Sequence, residues 1–154
     1  IVKNEEAVLD RILKPVSQVM DAILIADTGS SDRTKEIAEQ YTSQVFDFPW
    51  CDDFSAARNF LVKKVRTDYW MWLDADDDFE PESIAALCKL KQSLTEDMDV
   101  VTFLYSSDID QQNLKGNDSL LRDRLVKRSL GANGGIPFTR QFPFCRNGRA
   151  VFMN

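Results

Sequence analysis

No histidine occurs anywhere in these 154 residues. That excludes a His-based catalytic triad, a His metal site and a His general base from the chain. Cysteine is scarce: Cys51, Cys88 and Cys145 are odd in number, widely spaced and without the close pairing of a metal site, so they read as reduced thiols. Positive charge is short as well. The 19 Lys and Arg against 25 Asp and Glu leave a net charge of -6, a poor surface for a nucleic-acid backbone. No apolar run reaches the roughly 20 residues that a bilayer span needs, and no signal peptide opens the sequence. The expectation is a cytoplasmic protein with no transmembrane segment and no nucleic-acid partner.

What is present is 44% hydrophobic and 29% charged, an ordinary composition for one folded domain with a sizeable core. Ile1-Val2 reads as the end of a strand and Asn4 as the N-cap of a helix, with Glu5 and Glu6 in a first turn whose dipole favours acids. Val8, Leu9, Ile12, Leu13 and Val16 then recur at helical spacing. Residues 22–26 are a continuous apolar run, a strand buried on both faces, which stops at Asp27 and the small-residue turn Thr28-Gly29-Ser30-Ser31-Asp32. Ser31 or Asp32 can cap a helix to about Tyr41. A strand over 44–48, a helix opened by Cys51-Asp52-Asp53-Phe54-Ser55 and running to Val65, a strand over 69–73, a helix begun by Pro81 and a strand over 99–105 continue the alternation. Such an order predicts an α/β fold, a mostly parallel sheet with helices on both faces. Residues 106–119 read as a polar loop and 120–128 as one more strand; from Gly131 onward no period is assignable.

The densest chemistry sits where Tyr69-Trp70-Met71-Trp72-Leu73 runs into Asp74-Ala75-Asp76-Asp77-Asp78. In open parallel sheets, ligands bind beyond the carboxyl ends of strands, and Ile1-Val2, Asp27 and Asp74 all lie at such ends. If the strand stays extended, Asp74 and Asp76 face one side, with Cα atoms roughly 6.6 Å apart. Hard cations such as Mg2+ or Mn2+ take one or two carboxylates together with substrate phosphates, so the pair suits a cation carrying a diphosphate. Asp77, Asp78 and Glu80 read instead as solvated loop acids, and so do Asp108, Asp110, Asp118 and Asp123. A calcium loop fails, because Phe79 stands where Gly is required and Ala85 where the bidentate Glu belongs.

Four segments together resemble family 2 glycosyltransferases of the GT-A fold: Ile1-Val2-Lys3-Asn4-Glu5-Glu6, Asp27-Thr28-Gly29-Ser30-Ser31-Asp32-Arg33-Thr34, Trp50-Cys51-Asp52-Asp53-Phe54-Ser55-Ala56-Ala57-Arg58-Asn59 and Trp72-Leu73-Asp74-Ala75-Asp76-Asp77. The resemblance covers residues 1 to about 105. It implies a metal-dependent, inverting transfer of a sugar from a nucleotide-diphosphate donor, a UDP-sugar, to an acceptor that is a saccharide, a lipid carrier or a peptide. It implies that Glu5 meets the nucleoside, that Asp27 accepts a hydrogen bond from the base, and that Arg58 lies near the nucleotide. Asp74 and Asp76 match the Asp-x-Asp motif, with Asp76 the more direct ligand of Mn2+ or Mg2+ and Asp74 nearer the ribose. Residues 1–105 would then be the nucleotide-sugar half and 106–154 the acceptor-side segment, incomplete against the family pattern: the His-Glu pair expected after Arg124-Leu125-Val126 is absent, and no catalytic base is named. Two alternatives are a nucleotide-sugar-binding domain without catalysis and a phosphatase of the haloacid-dehalogenase type, which also places Asp-x-Asp after a hydrophobic strand.

Overall fold

The computed structural model describes residues 1–79, 81–106, 119–132 and 149–153. Glu80, Asp108, Asp110, Asp118 and Cys145, with most of the expected loop and of the tail, lie outside the described residues. Helices α1 (Leu9–Val16), α2 (Thr34–Glu39), α3 (Phe54–Val62), α4 (Pro81–Ser93) and α5 (Arg128–Ala132) are interleaved with strands β1 (Ile25–Asp27), β2 (Val45–Asp47), β3 (Tyr69–Met71), β4 (Met98–Ser106), β5 (Ser119–Lys127) and β6 (Arg149–Met153).

β1 and β2 pair in parallel, and Val2 joins the other edge of β1 through a parallel bridge to Asp27. The second sheet has the order β3-β5-β4-β6. Here β5 runs antiparallel to β3 and to β4, whereas β6 is parallel to β4. The architecture is the expected α/β one with a mixed sheet, and the antiparallel pairs all involve β5. The sequence between β4 and β5 is polar and turn-like, a pattern that suits a direct return of the chain more than a crossover helix. The β4–β5 register slips once. Val101 faces Leu125 and Thr102 faces Asp123, which leaves Arg124 as the extra residue of a bulge.

Leu9, Ile12, Leu13 and Val16 place one face of α1 against Val2, Ile25 and Ala38. Each such side chain contributes about 1.5–3 kcal/mol on full burial. A second cluster packs Leu87 and Leu90 of α4 onto Val101 and Leu125, and a third gathers Val65, Trp70, Val100 and Val126. Asp53 caps α3, accepting from the N–H groups of Ser55 at 2.8 Å and Ala56 at 3.1 Å.

Asn4 does not cap α1. That helix starts at Leu9, with Val8 in the cap position and no side-chain bond. Asn4 instead takes φ 55°, a left-handed conformation that asparagine tolerates. It donates its N–H to Ser30 Oγ at 3.0 Å and accepts from Ser31 N–H at 2.8 Å. Bonds between the two strand-end loops therefore outweighed a local cap.

An open apolar groove of about 420 Å³ lies between β1 and β3, walled by Ile23, Leu24, Leu61, Val62, Trp70 and Trp72. Val2 occupies only one end of this edge of β1. Its N–H donates to the Ala26 carbonyl at 2.9 Å and its carbonyl accepts from Thr28 N–H at 3.0 Å. Upstream of Ala26 that edge carries no backbone bond among the described residues.

Candidate functional site

Asp27 ends β1 at 4% exposure. Its Oδ1 accepts the N–H groups of Gly29 and Ser30, both at 2.8 Å, and closes the turn in which Gly29 adopts φ 103°. A residue with a side chain would be strained at that φ. The second oxygen, Oδ2, is buried with no hydrogen-bond partner among the described residues. Burial by itself pushes the Asp27 carboxyl up; the Ser30 hydroxyl, the Ser30 and Gly29 N–H groups and Lys35 more than offset it and hold it below the ordinary value. The result is an ionised, buried acceptor with one oxygen unmet, a costly arrangement unless something donates to it.

The loop holding Glu5 is tied to the loop after Asp27. Glu5 N–H donates to Thr34 Oγ1 at 2.6 Å, Glu6 N–H to Asp32 Oδ2 at 3.2 Å, and Arg33 N–H to Glu6 Oε2 at 2.9 Å. Asp32 also accepts from Thr34 N–H at 3.0 Å, at the start of α2. Glu5 thus borders the same rim as Asp27 through its backbone. Val2 ties the strand before the Glu5 loop to this half of the rim by pairing with Asp27.

The acidic cluster folds differently from its expected extended form. β3 ends at Met71, and residues 74–77 close a turn. Asp77 N–H donates to the Asp74 carbonyl at 3.1 Å, while Asp74 N–H donates to Asp77 Oδ2 at 2.9 Å. The two-residue alternation that would set Asp74 and Asp76 side by side therefore does not apply. Asp74 lies between two cations, with Arg58 of α3 at 3.1 Å and Arg124 at 3.5 Å. Asp76 sits in the turn, exposed, and its carbonyl accepts from Arg11 at 3.3 Å.

Two acids expected to be solvated are not. Asp77 is 6% exposed and meets Arg124 Nη2 at 3.4 Å. Burial of that carboxylate is compensated by the turn N–H it holds and by the guanidinium. Asp123 lies in β5, half-buried, and accepts the Thr102 hydroxyl at 2.6 Å. Asp78 does stay exposed, opposite Arg11 at 3.7 Å, a pair that contributes little. Arg124, the buried partner of both Asp74 and Asp77, is the residue that sequence reasoning missed as part of the site. No local signal marks it, because Arg122, Asp123 and Lys127 of the same strand are charged too.

Among the described residues no three His, Cys, Asp or Glu side chains gather into a cation cage. An exposed carboxylate at Asp76 fits a Mg2+-type ion that arrives with phosphate oxygens and keeps much of its coordination outside the protein.

Comparison with known proteins adds to this geometry. The model of the family described as Glycosyl transferase family 2 matches residues 1–148. A TPR repeat-containing protein of Synechococcus elongatus is 40% identical over 78 residues, which is 51% of this chain and 19% of that protein. The structure of Staphylococcus aureus TarS 1–349 superposes with a TM-score of 0.64 at 16% identity, covering 91% of this chain and 49% of that one. Glucosyl-3-phosphoglycerate synthase of Mycobacterium tuberculosis, solved with Mn2+ and UDP-glucose, gives 0.60 at 18% identity, covering 84% of this chain and 54% of that one. The chain spans about half the length of these solved chains and a smaller part of the curated relative. Its fold is theirs, the GT-A fold.

Proposed function

The chain belongs to glycosyl transferase family 2, and from that premise we propose that it binds the nucleotide-diphosphate sugar, a UDP-sugar, in a transfer to an acceptor hydroxyl or thiol. The observation that carries the donor reading is Asp27: a buried, ionised carboxylate whose Oδ2 lacks a donor, at the end of a strand. The imide N–H of uracil supplies that donor. Glu5 borders the nucleoside from the adjoining loop, and Arg58 with Asp74 forms the far side of the rim. Asp74 has its charge engaged by two arginines, so we assign the cation first to Asp76, with Asp74 nearer the ribose. When bound, Mn2+ or Mg2+ neutralises the charge of the departing diphosphate. The neighbour solved with Mn2+ and UDP-glucose supports this ligand class.

The acceptor, a saccharide, a lipid carrier or a peptide, attacks the anomeric carbon from the face opposite the diphosphate and inverts it. Residues 1–154 hold no histidine to remove the acceptor proton, and no catalytic base is assigned among them. Residues 1–105 form the donor half, and 106–154 belong to the acceptor side. Free thiols at Cys51 and Cys88 suit a reducing compartment, the cytoplasm. Among the described residues no helix is long and apolar enough to cross a membrane.

Calorimetry with UDP, with and without Mn2+, tests the donor site. Asp76→Ala is expected to remove the Mn2+-dependent tightening of UDP binding and to leave metal-free binding intact. The substitution falls on an exposed turn residue, so stability should change by no more than about 0.5 kcal/mol. An undiminished Mn2+ effect in the variant refutes the assignment of Asp76. Sugar transfer to an acceptor library separates an enzyme from a module that only binds.

A further inference from the structure

We propose that Arg124 is a positioning residue that sets the acidic turn 74–77 in the shape that presents Asp76 to the cation–diphosphate. This rests on the donor reading given above. Three independent observations place Arg124 there. The β4–β5 register slip leaves it as the extra residue of a bulge, and a bulge re-aims its side chain out of the regular alternation. Arg124 is 6% exposed, within a sheet region whose next two residues, Leu125 and Val126, are also buried. It reaches the segment that follows β3: Nη1 donates to the Trp72 carbonyl at 3.2 Å and lies 3.5 Å from Asp74 Oδ2, and Nη2 lies 3.4 Å from Asp77 Oδ2.

The planar fork of arginine suits this task, because it offers donors in two directions at once. One guanidinium draws Asp74 and Asp77 toward a common charge, and Asp77 in turn holds Asp74 N–H at 2.9 Å. The turn is thereby closed from both ends, with Asp76 between them and its carboxylate exposed. Without Arg124, Asp74 and Asp77 repel each other and the turn opens. Arg124 does not itself touch the donor in this account; its effect passes through the turn.

Four proteins decide the matter: the unaltered chain, Arg124→Lys, Arg124→Met and Asp77→Asn. UDP affinity is measured by calorimetry with and without Mn2+, at temperatures where circular dichroism shows each variant folded. The expected result is a Mn2+-dependent gain that falls well beyond any change in metal-free affinity, which Asp74 near the ribose can also alter. The Mn2+-dependent gain should fall by about 10–100-fold in Arg124→Met and Asp77→Asn, the range typical when a residue that orients a ligand is removed. Arg124→Lys should recover part of the gain, since an ammonium is a single charge without the fork. A full Mn2+-dependent gain in folded Arg124→Met or Asp77→Asn overturns the role, and so does a loss that falls equally on metal-free binding. Should Arg124→Met fail to fold, Asp77→Asn decides, because Asn keeps an acceptor for Asp74 N–H and removes the charge. Absence of any Mn2+ effect in the unaltered chain would overturn the donor reading itself, and this role with it.

Discussion

Replacing Asp27 by asparagine alters one oxygen of the carboxylate and spares the other. Oδ1 can still accept from Gly29 and Ser30, so the turn survives. At the Oδ2 position an amide donor replaces a buried acceptor without a partner. Uracil offers an N–H at the ring position where cytosine offers a lone pair. The unaltered chain should therefore prefer UDP to CDP by about 1–3 kcal/mol, the cost of leaving a buried polar group unpaired. Asp27→Asn should flatten or reverse that preference, as read by calorimetry with the two diphosphates. A retained uridine preference in the variant would remove Asp27 from base recognition. Because its carboxyl is held below the ordinary value, the acceptor stays ionised throughout the neutral range, and pH should have little influence on the preference there.

Among the elements, α3 joins local sequence chemistry to the site most directly. Its N-cap is Asp53, and Arg58 on the same helix reaches Asp74. Asp53→Ala should cost about 1 kcal/mol, lowering the melting temperature by roughly 2–4 °C for a chain of this size. Asp53→Asn should restore it, since asparagine caps as well as aspartate. A melt unchanged by Asp53→Ala would show that packing alone holds the start of α3. The helix opened by residues 51–55 was legible in the sequence because its start signal lies within a few adjacent positions. The strand at 120–128 was legible for a similar reason, through its own alternation. The place of Arg124 was not: its bulge is set by the register against Val101 and Thr102 of β4, and its ion-pair partners Asp74 and Asp77 lie about fifty positions away. The misplaced cap at Asn4 has the same origin, because its competing partners, Ser30 and Ser31, belong to another loop.

At the scale of the whole molecule, the α/β class was legible from the alternation of apolar runs with helical periods, a pattern that needs no knowledge of side-chain contacts. The division into two sheets was not, since pairing partners carry no local signature. Between those sheets runs the groove beside Leu24 and Trp70. Its walls are largely apolar, so an apolar body that enters buries apolar surface, and the thermodynamic mark of such burial is a negative change in heat capacity. A hydrophobic dye such as anilinonaphthalene sulfonate should therefore brighten on the fully folded chain, well below the melting transition. Titrations at several temperatures should give binding enthalpies that grow more exothermic on warming. A dye that stays dark until the protein melts would mean that the walls close on each other in solution.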